Sequence, residues 1–146
     1  MVIAVGDVDF GVLRGCGLLD GCAVVRCSDL CEVYAENAVL VLARDAVLRC
    51  DVSDVFAAVV CSEYRSPVER LRGVPILTCG MGARNTISVT SRTSDRMTLA
   101  LNRRIATVRG CCEPMELPLP LCASSDDYDH MAAFAAAVVL GRVGAD

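Results

Sequence analysis

The apolar positions follow three successive patterns along the chain. Up to residue 79 they come as short continuous runs: Val2 to Val5, Cys22 to Cys27, Ala38 to Ala43, Val55 to Cys61 and Ile76 to Cys79. Runs of this length without alternation mark strands covered on both faces, as in a parallel sheet. From Asn85 the period becomes two. Ile87 and Val89 face one way against Thr86, Ser88 and Thr90, and Met97, Leu99 and Leu101 repeat the alternation against Thr98, Ala100 and Asn102. These read as half-buried antiparallel strands. The last pattern is helical: Ser124, Ser125, Asp126 and Asp127 form a helix-start cluster, and the Ala-rich stretch that follows stops at Gly141.

The residues between the runs predict how they connect. Ser66, Pro67 and Gly73 bracket a short helix over Ser66 to Arg72, which makes Val55 to Cys79 a βαβ-like unit with parallel strands. Ser28, Asp29 and Glu32 predict a second short helix through a capping-box spacing. Val12 to Leu19 shows no period. Gly110 follows Arg109 at a turn, and Pro118 and Pro120 place Met115 to Leu121 at the edge of a sheet. An exposed edge strand around Asn85 to Arg92 would allow a homodimer by sheet extension. The expected fold class is α/β: a small mixed sheet in two or three layers, with the βαβ unit, an antiparallel hairpin extension and a C-terminal Ala-rich helix. One domain, 1–146, is expected, its portion 1–54 less clearly marked than 55–146.

Composition restricts the chemistry. Hydrophobic residues make up 54% of the chain, aromatics 4%, and Trp is absent, so Val, Leu, Ala, Ile and Cys must build the core. The longest apolar run, Met131 to Leu140, is well short of the ~20 residues of a membrane helix. No basic region precedes the N-terminal apolar run, so a cytoplasmic protein without a membrane partner is expected. All 14 basic residues are Arg, which removes a P-loop lysine, a Schiff-base lysine and a lysine general base. Net charge is −6 over residues 1–64, +7 over 65–112 and −5 over 113–146. The arginine-rich middle is either an anion or acidic-partner site or is neutralised by its flanks in the folded state. Without interleaved aromatics it does not read as a nucleic-acid surface.

The ten cysteines include no Cys-x-x-Cys pair, and His130 is the single histidine, so no structural metal is expected. Most of the thiols sit in apolar contexts where Cys acts as a small hydrophobe. Cys111 and Cys112, beside the Arg109 and Gly110 turn, are the pair to watch for thiol reactivity, and they carry an alternative reading as a redox enzyme or sensor. Gly80 and Gly82, with Arg84 and Asn85 beside them, either let an anion approach the backbone or form a tight turn at positive φ. Asp126, Asp127 and Asp129 could hold a cation, but the helix dipole already accounts for acids there. Ser62, His130 and Asp129 make a triad only on paper, since no nucleophile-elbow glycines flank a serine.

Five segments in order carry a resemblance: VVCSEY at Val59 to Tyr64, VPILTCG at Val74 to Gly80, the two alternating strands, LPLP at Leu117 to Pro120, and the helix from Tyr128 to Gly141. In this order they resemble the second half of the central, ATP-binding domain of the Mur ligase family, the amide ligases of peptidoglycan synthesis. The resemblance covers a little over half of the chain. The family's glycine-rich P-loop with its Lys is missing, its His-Asn pair falls on Ser125 and Asp126, and its next Asn falls on Asp129. What the resemblance implies is therefore a shortened, non-catalytic relative: a binding or assembly module linked to peptidoglycan precursors in bacterial cytoplasm, with a cell-wall precursor or cell-wall enzyme as partner and no cofactor. Its ligand residues would be Gly80, Gly82, Arg84, Asn85, Asp126 and Asp129.

Overall fold

The computed structural model describes residues 1–144 except Val12, Leu13, Arg14, Cys16, Cys31 and Arg65. It is a mixed α/β structure with a mostly parallel sheet and one α-helix among the described residues. The strands are β1 (Val2–Val5), β2 (Val24–Cys27), β3 (Tyr34–Leu42), β4 (Asp54–Cys61), β5 (Ile76–Cys79), β6 (Ile87–Arg92), β7 (Arg96–Leu101), β8 (Ile105–Thr107), β9 (Gly110–Cys112) and β10 (Met115–Pro120). The helix is α1 (Asp127–Val139). Eight strands form one sheet in the order β10-β7-β6-β5-β4-β3-β1-β2, and β8 and β9 form a separate two-stranded ribbon. Pairing is parallel from β2 across to β6 and antiparallel from β6 through β7 to β10.

The continuous apolar runs became the covered strands. β1 and the second half of β3, Ala38 to Leu42, are buried on both faces. Alternate residues of these strands feed two cores. Val2, Ala4, Val39, Val41, Ala57, Val59, Leu77 and Cys79 meet α1, while Ile3, Val5, Leu40, Leu42, Ala58 and Val60 meet the segments that link the strands. The helix is buried at Tyr128 and at every residue from His130 to Val139, as expected of a helix apolar all round. Its alanines let it lie close to the sheet, and the β8–β9 ribbon holds its far end through the Val108 N–H, which donates to the Val139 carbonyl at 2.9 Å.

The predicted helix over Ser66 to Arg72 is reduced to a single 3-10 turn, Val68–Arg70. The reason is a partner that local sequence does not show. The β3–β4 link lies beside the β4–β5 link: Val52 donates to the Arg70 carbonyl at 2.7 Å and accepts from the Arg72 N–H at 2.8 Å. Asp51 pairs with both Arg70 and Arg72 at 3.3 Å. With backbone groups satisfied by the neighbouring link, the helical i→i−4 bonds are not needed. The parallel pairing of β4 and β5 stands, but their crossover is not a helix. β3, β4 and β5 thus succeed one another as in the wall of a β-solenoid, with Leu48, Val52, Leu71 and Val74 of the links covering the second face. The regular layers number two, sheet and helix.

Three other expectations are corrected. The capping-box helix after Ser28 is absent among the described residues, Cys31 lying outside them; the segment leads without a helix into β3. β2 is not a buried strand but an open edge, with Val25 47% exposed. β6 is not an outer strand of the sheet, because β5 and β7 flank it, although it meets β5 only at Ile87. β10 is the other edge, as Pro118 and Pro120 require.

The packing of α1 is checked by Ala136→Leu. Ala136 is fully buried, so the added branched side chain should cost about 1–3 kcal/mol by overpacking, read as a lower urea midpoint with unchanged m-value.

Candidate functional site

The strand order reverses at β1: the chain goes from β1 outward to β2, then returns to place β3 on β1's other side. In open parallel sheets the crevice beyond the carboxyl ends of the strands at such a switch is the usual ligand position. Here those ends deliver Gly6 and Asp7 after β1, Arg44 and Asp45 after β3, and Tyr64 three residues after β4. The start of α1 arrives at the same end. Asp7, Arg44, Asp45, Tyr64, Asp126, Tyr128 and Asp129 line a cleft of about 350 Å³. Gly6 makes the approach of β1 and β3 tight: its φ is +85°, and a Cβ there would stand 2.7 Å from the Ala43 Cβ.

Arg44 organises the cleft. Its guanidinium pairs with Asp126 and lies 5.6 Å from the centroid of the Tyr64 ring and 5.7 Å from that of Tyr128, within cation–π range of both. Tyr128 is buried and its hydroxyl donates to the Leu42 carbonyl; burial, above all, pushes that phenol well above its ordinary pKa. Tyr64 is 53% exposed and forms the outer wall.

Asp126 caps α1. Its carboxylate accepts from the Asp129 N–H at 2.8 Å, and Asp129 returns the bond by accepting from the Asp126 N–H at 3.0 Å, a reciprocal capping box. The second Asp129 oxygen accepts from the Asp9 N–H at 3.3 Å. Burial raises the Asp129 carboxyl, against the lowering effect of these bonds. Asp9 accepts from Ser124 at 2.7 Å, Ser125 at 3.1 Å and the Gly11 N–H at 2.8 Å. The Ser124 bond leads in holding its carboxyl below the usual range. One carboxylate cluster therefore stitches the β1–β2 link to the head of α1.

His130 is a structural histidine. Its Nε2 accepts the Cys122 N–H at 3.1 Å, so the ring proton sits on Nδ1, 2.6 Å from the Asp126 carbonyl that receives it. Both nitrogens are used by backbone groups, which leaves none for a triad with Ser62 and Asp129.

The expected ligand residues fall in two places. Asp126 and Asp129 line the cleft, but none of Gly80, Gly82, Arg84 and Asn85 does. Those four form their own turn beyond β5. Neither Gly80 nor Gly82 has positive φ, so positive φ is not why glycine stands there. Gly80 is needed for closeness, since a Cβ would meet the Ser62 Oγ at 2.2 Å and the Asn85 Nδ2 at 2.7 Å. The Asn85 side chain donates to the Gly82 carbonyl at 2.9 Å, closing the turn on itself. Asp7, Arg44, Asp45 and Tyr64 were missed; the available signal was their position just past the ends of buried runs.

The arginine-rich middle is partly neutralised by its flanks. Arg70 and Arg72 pair with Asp51, Arg92 with Asp127, and Arg104 with Glu113. Among the described residues no group of His, Cys, Asp and Glu is arranged to hold a metal ion. No helix there is long and apolar enough to cross a membrane. Compared with known proteins, the chain matches no family model, no curated protein and no solved structure, so a functional reading rests on the chemistry of the cleft.

Cys111 and Cys112 differ in their surroundings. Cys111 is exposed and its Sγ accepts from the Arg104 guanidinium at 3.0 Å. Cys112 is buried beside Met115 and Val143, and burial raises its thiol. Neighbours in a strand point to opposite faces. Cys122, by contrast, has its thiol lowered, first by the Ser124 hydroxyl and then by Ser125. Cys16 and Cys31 lie outside the described residues.

Two measurements check this site. Asp126→Ala should cost about 1–2 kcal/mol through loss of the cap, with Asp126→Asn losing less, by denaturant titration. Native thiol labelling read by mass spectrometry should modify Cys111 and Cys122 while Cys61, Cys79 and Cys112 stay protected until the protein unfolds.

Proposed function

We propose that this chain is a non-catalytic binding module that takes its ligand in the cleft at the β1–β3 switch point. The observation that carries the reading is how the polar groups of that cleft are used. Asp126 is held by the helix cap and Arg44, and Asp129 by two backbone N–H groups. Among the described residues that line the cleft there is no Ser, Thr or Cys. Asp7 and Asp45 remain at the mouth, and four carboxylates face one guanidinium that is already paired. Such a cleft favours amino and hydroxyl groups over phosphates, and the Tyr64 ring offers an apolar wall.

The Mur-ligase-like reading belongs to this proposal. Its five segments lie on β4, β5, the β6–β7 pair, β10 and α1. It makes the ligand a cytoplasmic peptidoglycan precursor, engaged through the amine-bearing peptide portion, with no ligase chemistry. Calorimetry and thermal shift with a muropeptide precursor, a UDP-sugar and ATP test it. The precursor should bind saturably and raise Tm while ATP does neither, and Asp45→Asn should weaken binding roughly tenfold, the loss of one charged hydrogen bond. Preference for ATP, or no saturable binding by any of the three, would overturn the reading.

A further inference from the structure

A second cleft lies at the opposite end of the parallel strands. Phe56 and Ala57 of β4, Pro75 before β5, Ile76 and Leu77 of β5, Thr86, Arg103, and Ile105 and Ala106 of β8 enclose about 320 Å³. Three features of its construction point to one kind of ligand.

The cleft exists because β6 joins β5 late. Their only ladder pair is Cys79 with Ile87, so β5 runs from Ile76 to Thr78 with no strand beside it on that side. Thr78 and Thr86 bridge part of the gap by exchanging bonds, each backbone N–H donating to the other's hydroxyl at 3.3 and 3.2 Å. Ile76, one residue before Leu77 and out of reach of this exchange, is 38% exposed, a large apolar side chain at the mouth. The remaining wall is apolar except for Thr86, whose hydroxyl is already used, and Arg103.

Arg103 is the single charged residue lining the cleft. Among the described residues it pairs with no carboxylate, unlike Arg70, Arg72, Arg92 and Arg104 of the same basic stretch. One of its nitrogens donates to the Arg84 carbonyl, which fixes the guanidinium at the rim and leaves its other donors for a ligand. A planar guanidinium so held matches a carboxylate through two parallel bonds. The volume is at the small end for ligand pockets.

We propose that this cleft binds a small amphipathic carboxylate, an apolar chain or ring lying on Phe56, Ile76, Leu77 and Ile105 with its carboxylate on Arg103. The site is separate from the switch-point cleft, so the two readings stand or fall independently. The probe is octanoate, with octylamine and 1-octanol as controls of the same apolar length, titrated by calorimetry into the full chain. Octanoate should bind saturably and at least tenfold more tightly than either control, since the charge-assisted pair is lost in both. Arg103→Gln should weaken octanoate roughly tenfold or more without changing the binding of octanol. Ala106→Trp fills the cleft from an exposed position, so it should abolish binding in a protein whose thermal unfolding is unchanged. Equal binding of octanoate and octylamine, no effect of Arg103→Gln, or tighter binding of an apolar peptide ending in a free carboxylate than of octanoate would each overturn the proposal, as would the absence of saturable binding.

Discussion

Burial of one helix against one face of the sheet governs how the chain is arranged. α1 is apolar on every side and cannot exist in water as a separate element, so the chain must cover it completely. The sheet takes one side, and the β8–β9 ribbon and the early links close over the rest. Because its residues are mainly Ala, the helix makes close contact without large side chains to hold a gap open, and this suits a chain with no Trp and three Phe. The buried His130 belongs to the same arrangement: both ring nitrogens serve backbone groups at the head of the helix, so its entry is fixed by directional bonds and not by packing alone.

That entry places the candidate site. With α1 covering one face, its N-terminus arrives where β1, β3 and β4 end, and the reciprocal cap of Asp126 and Asp129 becomes one wall of the cleft. Acids explained at first by the helix dipole thus acquire long-range partners, Arg44 and the Asp9 N–H. Arg44 in turn lies between two tyrosines from different parts of the chain. The same side chains cap the helix and line the cleft.

The opposite face follows a different rule. Its links contain no α-helix among the described residues and satisfy their backbones against each other at Val52 and Leu71. Arg70, at the end of the 3-10 turn, and Arg72, just past the extended Leu71, share Asp51. Four arginines of the middle of the chain are held in ion pairs, Arg70, Arg72, Arg92 and Arg104, while Arg84, Arg96, Arg103 and Arg109 are in none among the described residues.

Hydrophobic period and capping residues act over a few positions, so the buried strands at Val2, Ala38 and Val55, the alternating pair after Asn85, the proline edge and the final helix with its Gly141 stop are legible in the chain. The rest depends on contacts between distant segments. A helix start at Ser66 with Pro67 is locally sound, yet a neighbouring link offered its backbone better partners. The run at Cys22 looked buried because apolar content does not reveal whether a strand will lie at an edge. Gly80 and Gly82 with Arg84 and Asn85 were separated from Asp126 and Asp129 because the order of strands in the sheet, which no local pattern encodes, sends the two groups to different places. The same order brought Asp7, Arg44 and Tyr64 together from three strand ends. A switch-point cleft is a property of topology, and only the folded chain displays it.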